Sequence, residues 1–425
     1  MKVRLAYGKR GLEAMLPTGP EVSVIEPRYL PGLPDQEEAL RRALRSPIGS
    51  PPLRELLRPG DRVGVVVSDI TRATPYPLML PVLLSELEGV SPERLTFFVA
   101  TGTHRHNTED ELEAMLGPGI VGHYRIVQND ALDQGSHALV GESRSGNPIW
   151  IHRELLECRL RIATGFIEPH FFAGFSGGGK AIMPGLALLE TIMCNHGPRH
   201  LDDPRATWGV TEGNPLWEEV REVAEMVGVS FLLNVTLNRD KELTGVFAGE
   251  LGQAHARGCA FARDTTMVEV PEAFDIVLTS ASGHPLDLNL YQAVKGMSAA
   301  AQVVRPGGSI IVAAECWDGI PEHGEYGGLL REARDLEELL GRIRTPGFQR
   351  QDMWQVQIQA LICRKARVYV YSDGLTDEQI RAAHLIPCRS IEDTLAALLS
   401  EHEGEGRARI GVLPEGPLTI PYLRS

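Results

Sequence analysis

The sequence has no Cys-x-x-Cys pair; its six cysteines stand apart at 158, 194, 259, 316, 363 and 388. That spacing excludes a zinc knuckle or a dithiol redox couple and reads as core thiols in a reducing compartment. It also lacks any run of about 18 apolar residues that would span a membrane. The start, Met1-Lys2-Val3-Arg4-Leu5 followed by Tyr7-Gly8-Lys9-Arg10-Gly11, carries no apolar signal-peptide stretch, so the chain is expected in the cytoplasm. Basic runs are missing as well. Only pairs such as Arg41-Arg42 and Arg364-Lys365 interrupt a formal charge of −14, a balance that repels a phosphate backbone and argues against nucleic acid as a partner. Internal repeats and low-complexity tracts are absent.

What is present is an ordinary globular composition, 43% hydrophobic and 23% charged over 425 residues. A chain of that length exceeds what one core usually serves, which points to two domains. Short β-branched runs alternate with amphipathic stretches, the pattern of α/β layers with largely parallel sheets. Strands are expected at Arg62–Val67, Arg94–Ala100, Arg125–Gln128, Leu160–Gly165, Ser230–Thr236, Asp275–Thr279, Ser309–Ala314, Arg367–Tyr371 and Arg409–Leu413. Helices are expected at Gln36–Arg45, Leu78–Glu88, Leu290–Val304, Leu329–Arg344 and Ile391–Ser400. The acidic turn Met267-Val268-Glu269-Val270-Pro271-Glu272 precedes a fresh strand, which sets a boundary near 268 and two α/β domains, 1–267 and 268–425.

Three strands of the first domain end in polar clusters, where open α/β sheets bind ligands. Val65-Val66-Val67-Ser68 runs into Asp69-Ile70-Thr71-Arg72, Phe97-Phe98-Val99-Ala100 into Thr101-Gly102-Thr103-His104, and Ala163-Thr164-Gly165-Phe166 into Ile167-Glu168-Pro169-His170. Singly, each is also the pattern of an N-cap aspartate with a solvated arginine, or of a hydrogen-bonded structural histidine. Two histidines at equivalent strand ends beside Asp69 and Arg72 are the pattern of an opposed acid and base, because imidazole titrates near neutrality.

Gly174-Phe175-Ser176-Gly177-Gly178-Gly179-Lys180 has the glycine-lysine spacing of a phosphate loop, but Ala181 replaces the magnesium-binding hydroxyl and Pro184 interrupts the helix that must follow. Nucleotide hydrolysis is excluded on that ground. The residue pattern leaves a glycine backbone able to approach a bulky ligand and present one lysine, or a flexible surface loop. His196, in Met193-Cys194-Asn195-His196-Gly197-Pro198, lacks the companions of a protein-only zinc site. In the second domain Asp287-Leu288-Asn289 opens a helix on which Tyr291, Gln292 and Lys295 fall on neighbouring parts of one face. Solvated surface positions would look the same.

Taken together, these motifs resemble the lactate racemase family, from the Asp-x-x-Arg segment at Asp69 through Thr-Gly-Thr-His at His104 and the Glu168–Lys180 block to Tyr291–Lys295. The resemblance implies an isomerase, a racemase or epimerase of a small 2-hydroxy acid such as lactate, that passes a hydride to and from a covalently bound nickel-pincer nucleotide through a 2-keto acid. It implies that Asp69, Ile70, Thr71 and Arg72 hold the cofactor, that Lys180 is its attachment point, and that His196 ligates nickel. His104 and His170 become the acid/base pair, with Arg72, Tyr291, Gln292 and Lys295 as substrate contacts in a cleft between the two domains. Cofactor-biosynthesis proteins are the implied partners. Trp354 is either a substrate contact or a buried structural residue. Two other readings of the same resemblance are a pincer-dependent dehydrogenase-like or lyase reaction, and a non-catalytic cofactor carrier.

Overall fold

The computed structural model describes residues 1–402 and 407–424. Two six-stranded sheets carry the architecture. Their strands, in chain order, are β1 (Glu21–Val24), β2 (Val63–Ser68), β3 (Leu95–Ala100), β4 (Arg125–Gln128), β5 (Leu160–Phe166), β6 (Phe231–Leu237), β7 (Leu243–Gly249), β8 (Phe274–Ser280), β9 (Val304–Ala313), β10 (Arg367–Tyr371), β11 (Ile386–Pro387) and β12 (Arg409–Leu413).

One compact unit comprises Tyr29–His196 and Asp202–Thr265. Its sheet runs β7-β6-β5-β2-β3-β4, every neighbouring pair parallel except β6 with β7. Val63, Val65, Val66 and Val67 of β2 are fully buried, as a parallel strand covered on both faces requires. The chain builds outward from the centre in both directions, β2 to β4 one way and β5 to β7 the other. The topological switch point, where crevices for ligands form, therefore lies between β2 and β5.

The other unit comprises Met1–Arg28, Gly197–Leu201 and Thr266–Ser425. Its sheet, β11-β10-β9-β8-β12-β1, is parallel throughout, with its switch point between β8 and β12. Residues 1–28 belong here, rather than with the chain up to 267, because β1 pairs with β12 from Glu21 opposite Arg409 to Val24 opposite Val412.

The largely parallel α/β class is the one the sequence indicates, with local differences. The helix expected over Leu329–Arg344 is two, Tyr326–Glu332 and Leu336–Ile343. Asp335 accepts the Glu338 N–H at 2.8 Å and so starts a second helix instead of continuing the first. Leu78–Glu88 begins earlier, at Tyr76, and ends at Ser85. Among the described residues no helix is long and apolar enough to cross a membrane.

Candidate active site

The carboxyl ends of β2, β3 and β5, adjacent in the sheet, carry the polar residues singled out in the sequence. After β2, the chain turns through Asp69–Arg72, with the Arg72 N–H on the Asp69 carbonyl at 3.1 Å. Asp69, 3% exposed, accepts the Thr71 hydroxyl on Oδ1 and meets His104 Nδ1 on Oδ2, both at 2.7 Å. Burial alone would raise the Asp69 carboxyl, but the His104 charge and hydrogen bond, then Thr71 and Arg72, hold it below the usual carboxylate range. Ile70 is half-buried against the core of its unit.

His104 is delivered by a tight turn after β3, its N–H on the Thr101 carbonyl at 3.0 Å and Gly102 at φ +57°. Gly102 also donates to the Gly185 carbonyl at 3.0 Å, which ties this turn to the segment carrying Lys180. After β5, Glu168 accepts Arg72 Nη1 at 2.9 Å, bridging the switch point. The chain then forms a short hairpin, Pro169–His170 against Gly174–Phe175, in which His170 is 6% exposed.

Phe172, which the motifs did not single out, organises the rest. Its ring centroid lies 4.6 Å from that of His170 and 5.1 Å from that of His196, and Lys180 Nζ sits 5.7 Å from it. Three of the expected site residues thus border one aromatic ring. Glu168 stood in a motif without a role of its own, and Asn234 and His255 were missed. His255 Nε2 meets the Ser176 carbonyl at 2.9 Å and Asn234 Oδ1 accepts the Gly178 N–H at 2.8 Å, both fixing the loop before Lys180.

The glycines of that loop are needed for a reason other than ligand approach. A Cβ on Gly177 would lie 2.5 Å from Asn234 Oδ1, on Gly178 2.7 Å from the His255 ring, and on Gly179 2.8 Å from the Val220 carbonyl. The loop is wedged into the protein interior, which excludes the flexible-surface alternative and leaves the half-buried Lys180 side chain at its end.

In the other unit, Tyr291, Gln292 and Lys295 lie on the Leu290–Val303 helix, all half-buried, and Asn289 caps it by accepting the Gln292 N–H at 3.2 Å. Gly296 lets this helix approach the end of β8, where a Cβ would meet the Ser280 carbonyl at 2.4 Å. Trp354 is 3% exposed and donates its indole N–H to Tyr291 Oη at 2.9 Å, so within this unit it holds Tyr291 in place. Among the described residues no three His, Cys, Asp or Glu side chains group as a protein-only metal site.

A parallel-sheet protein that gathers a carboxylate-histidine dyad, a second histidine, an arginine and a lysine around one switch point is an α/β enzyme by architecture. Residues 7–209 match the family "Lactate racemase N-terminal domain" and residues 270–420 the family "Lactate racemase C-terminal domain". The chain belongs to the lactate racemase family, a family of isomerases. It is 33% identical to the lactate racemase of Thermoanaerobacterium thermosaccharolyticum over 98% of both chains, and 36% identical to that of Lactiplantibacillus plantarum over 90% of both. The solved apoprotein of the T. thermosaccharolyticum enzyme superposes with a TM-score of 0.91 over 100% of both chains at 32% identity. A Thermotoga maritima protein of 20% identity shares the fold, with a TM-score of 0.72 over 93% of this chain and 100% of its own.

Proposed function

We propose that the chain racemises or epimerises a small 2-hydroxy acid, lactate or a close relative, by removing a hydride from the carbinol carbon and returning it to the opposite face. The observation that carries this reading is the pair of histidines, His104 and His170, on loops after strands of one parallel sheet on either side of β2. Membership of the lactate racemase family supports it. A carrier protein has no need of two acid/base groups.

The residues fit the nickel-pincer nucleotide. The His196 imidazole and Lys180 border the same Phe172 ring, one protein ligand for a metal that brings its other ligands with it and one amine for covalent attachment. In this reading Lys180 is the attachment point, His196 the protein ligand to nickel, and Asp69, Ile70, Thr71 and Arg72 flank the cofactor. When bound, the cofactor supplies the hydride acceptor and donor.

The chain's own residues do the rest. Arg72 offers a planar guanidinium to the substrate carboxylate, and Tyr291, Gln292 and Lys295 keep the substrate-contact roles that the family resemblance implies for them. As the carbinol carbon gives up its hydride, the hydroxyl proton must leave for an uncharged 2-keto acid to form, and a histidine nitrogen takes it. Return of the hydride to the other face requires a proton from the opposite side, which is the second histidine's part. Cofactor-building enzymes are the required partners, and the dispersed free cysteines suit a reducing compartment such as the cytoplasm.

The test uses protein produced together with the cofactor-building enzymes, incubated with each pure enantiomer of lactate and of longer 2-hydroxy acids, followed by chiral chromatography. Both enantiomers should appear from either one. Stoichiometric 2-keto acid with no second enantiomer from any of them would replace the racemase with a dehydrogenase-like reaction.

A further inference from the structure

The two histidines are held by different partners, His104 by a carboxylate and His170 by a backbone amide. His104 presents Nδ1 to Asp69 Oδ2 at 2.7 Å, and a carboxylate can only accept. His104 Nδ1 therefore carries a proton, and in the neutral ring Nε2 carries the lone pair. His170 presents Nδ1 to the backbone N–H of Ala173 at 3.3 Å in a buried turn, and an amide N–H can only donate. His170 Nδ1 is therefore the acceptor, and in the neutral ring its proton sits on Nε2.

We propose that the acid/base pair rests in opposite tautomers, His104 set as a base at Nε2 and His170 set as a hydrogen-bond donor at Nε2, with Asp69 and the Ala173 amide as the positioning groups that impose the difference. Taking up a substrate proton turns His104 into an imidazolium whose second N–H already faces a carboxylate. His170 can act as a base at Nε2 only after its proton moves to Nδ1, where the Ala173 N–H points. The resting protein is thus prepared to take the hydroxyl proton of the enantiomer that faces His104. To return a proton on its own side, His170 must first gain one from solvent at Nδ1 in place of the Ala173 bond, since giving up Nε2–H alone leaves an imidazolate, and His104 releases its extra proton to solvent to close the cycle. The opposite direction begins with a tautomer change at His170.

Thr71 decides which substitution tests the arrangement. Its hydroxyl donates to Asp69 Oδ1 at 2.7 Å, but a hydroxyl also accepts, so an amide in place of the carboxylate can face His104 with either end. Asp69→Ala is the clean change, because it removes the acceptor that holds the proton on Nδ1. The ring then falls back toward the Nε2–H form that an unconstrained imidazole prefers. An aspartate-to-asparagine change behind the catalytic histidine of a serine protease, which also produces the wrong tautomer, costs turnover about 10⁴-fold; a loss of that order is expected here.

The inference rests on the acid/base reading above, but its test reads the rings directly. Long-range ¹H–¹⁵N correlation spectra of ¹⁵N-histidine-labelled full-length apoprotein, recorded above the usual histidine range at about pH 8, distinguish the tautomers. His104→Gln and His170→Gln assign the signals. His104 should appear as Nδ1–H and His170 as Nε2–H. Asp69→Ala should move His104 alone toward Nε2–H and leave His170 unchanged. One tautomer shared by both rings, or a His104 signal indifferent to Asp69→Ala, would overturn the proposal. Like tautomers in an active racemase would remove this inference and leave the racemase; opposite tautomers in a loaded protein that forms no second enantiomer would do the reverse.

Discussion

Arg72 donates to Glu168 at 2.9 Å across the switch point between β2 and β5, with side-chain exposures of 22% and 11%. Glu168 thus orients the guanidinium assigned to the substrate carboxylate. Glu168→Ala should raise KM for the 2-hydroxy acid by about 10-fold, a binding loss of roughly 1.4 kcal/mol, with a smaller effect on kcat. It should also cost roughly 1–3 kcal/mol of stability, because a charged group loses its partner in a poorly solvated place. Glu168→Gln, which keeps an acceptor oxygen, should recover most of the KM. Equal KM for Ala and Gln variants would separate Glu168 from substrate binding.

Gly178 combines φ +55° with a Cβ direction that ends 2.7 Å from the His255 ring. Gly178→Ala therefore meets backbone strain and an occupied interior together, and should destabilise the protein by about 2–4 kcal/mol in chemical denaturation. The covalent loading of Lys180 should fall with it. Wild-type stability in this variant would show that the loop is not wedged as described.

Lys180 and His196 border the same ring but have different assignments, so their variants should separate. Lys180→Ala should abolish the covalent mass increment in intact-mass spectra of protein made alongside the cofactor pathway. His196→Ala should keep some organic increment while losing nickel by metal analysis. An unchanged increment in the first, or equal nickel in the second, removes the corresponding assignment.

Acid should weaken the fold through histidines the chemistry does not use. Burial lowers His152 to about 4, aided by His137, and burial likewise lowers His255 to about 4. Because these pKa values are depressed in the fold, the unfolded chain binds more protons between about pH 4 and 6.5, and stability rises with pH across that window. The loss from about pH 7 down to about pH 5 should approach roughly 2 kcal/mol for each ring. Urea midpoints at the two pH values check it. His152→Phe, which keeps a ring against Phe98 and His137, should flatten the dependence, and an unchanged slope would assign acid sensitivity elsewhere.

Where a strand has a β-branched centre, its position was legible: Arg125–Gln128, Arg367–Tyr371 and Arg409–Leu413 stand where the sequence places them. Glu21–Val24 was not legible, since it is a strand only by virtue of pairing with Arg409–Leu413, nearly the whole chain away. The helices at Pro215–Val227, Leu251–Thr266 and Met353–Lys365 were not among those the sequence indicated. The site follows the same division. His104, His170 and Lys180 announce themselves as polar residues after apolar strands or in glycine loops. The Asp69–His104 bond depends on β2 and β3 being neighbours, and the role of Phe172 depends on two loops meeting, neither of which has a local signature. A His-Phe-Phe run directly after a strand was the one available hint.

The last prediction separates the two histidines by function. A full racemisation cycle needs a proton taken on one side and returned on the other, so His104→Gln and His170→Gln should each block it. The half-reaction need not vanish. With cofactor loading matched, a variant keeping only His104 should still form enzyme-bound 2-keto acid from one pure enantiomer, and the variant keeping only His170 should prefer the other. Single-turnover measurement of 2-keto acid from each enantiomer reads this directly. The opposed tautomers add a direction: the half-reaction retained by His170→Gln should run close to the wild-type rate for its enantiomer, because His104 already presents its lone pair. The half-reaction retained by His104→Gln should be slower, because His170 must first give up its bond from the Ala173 amide. Equal enantiomer preference in the two variants, or racemisation near the wild-type rate in either at matched nickel content, would show that another group moves the proton.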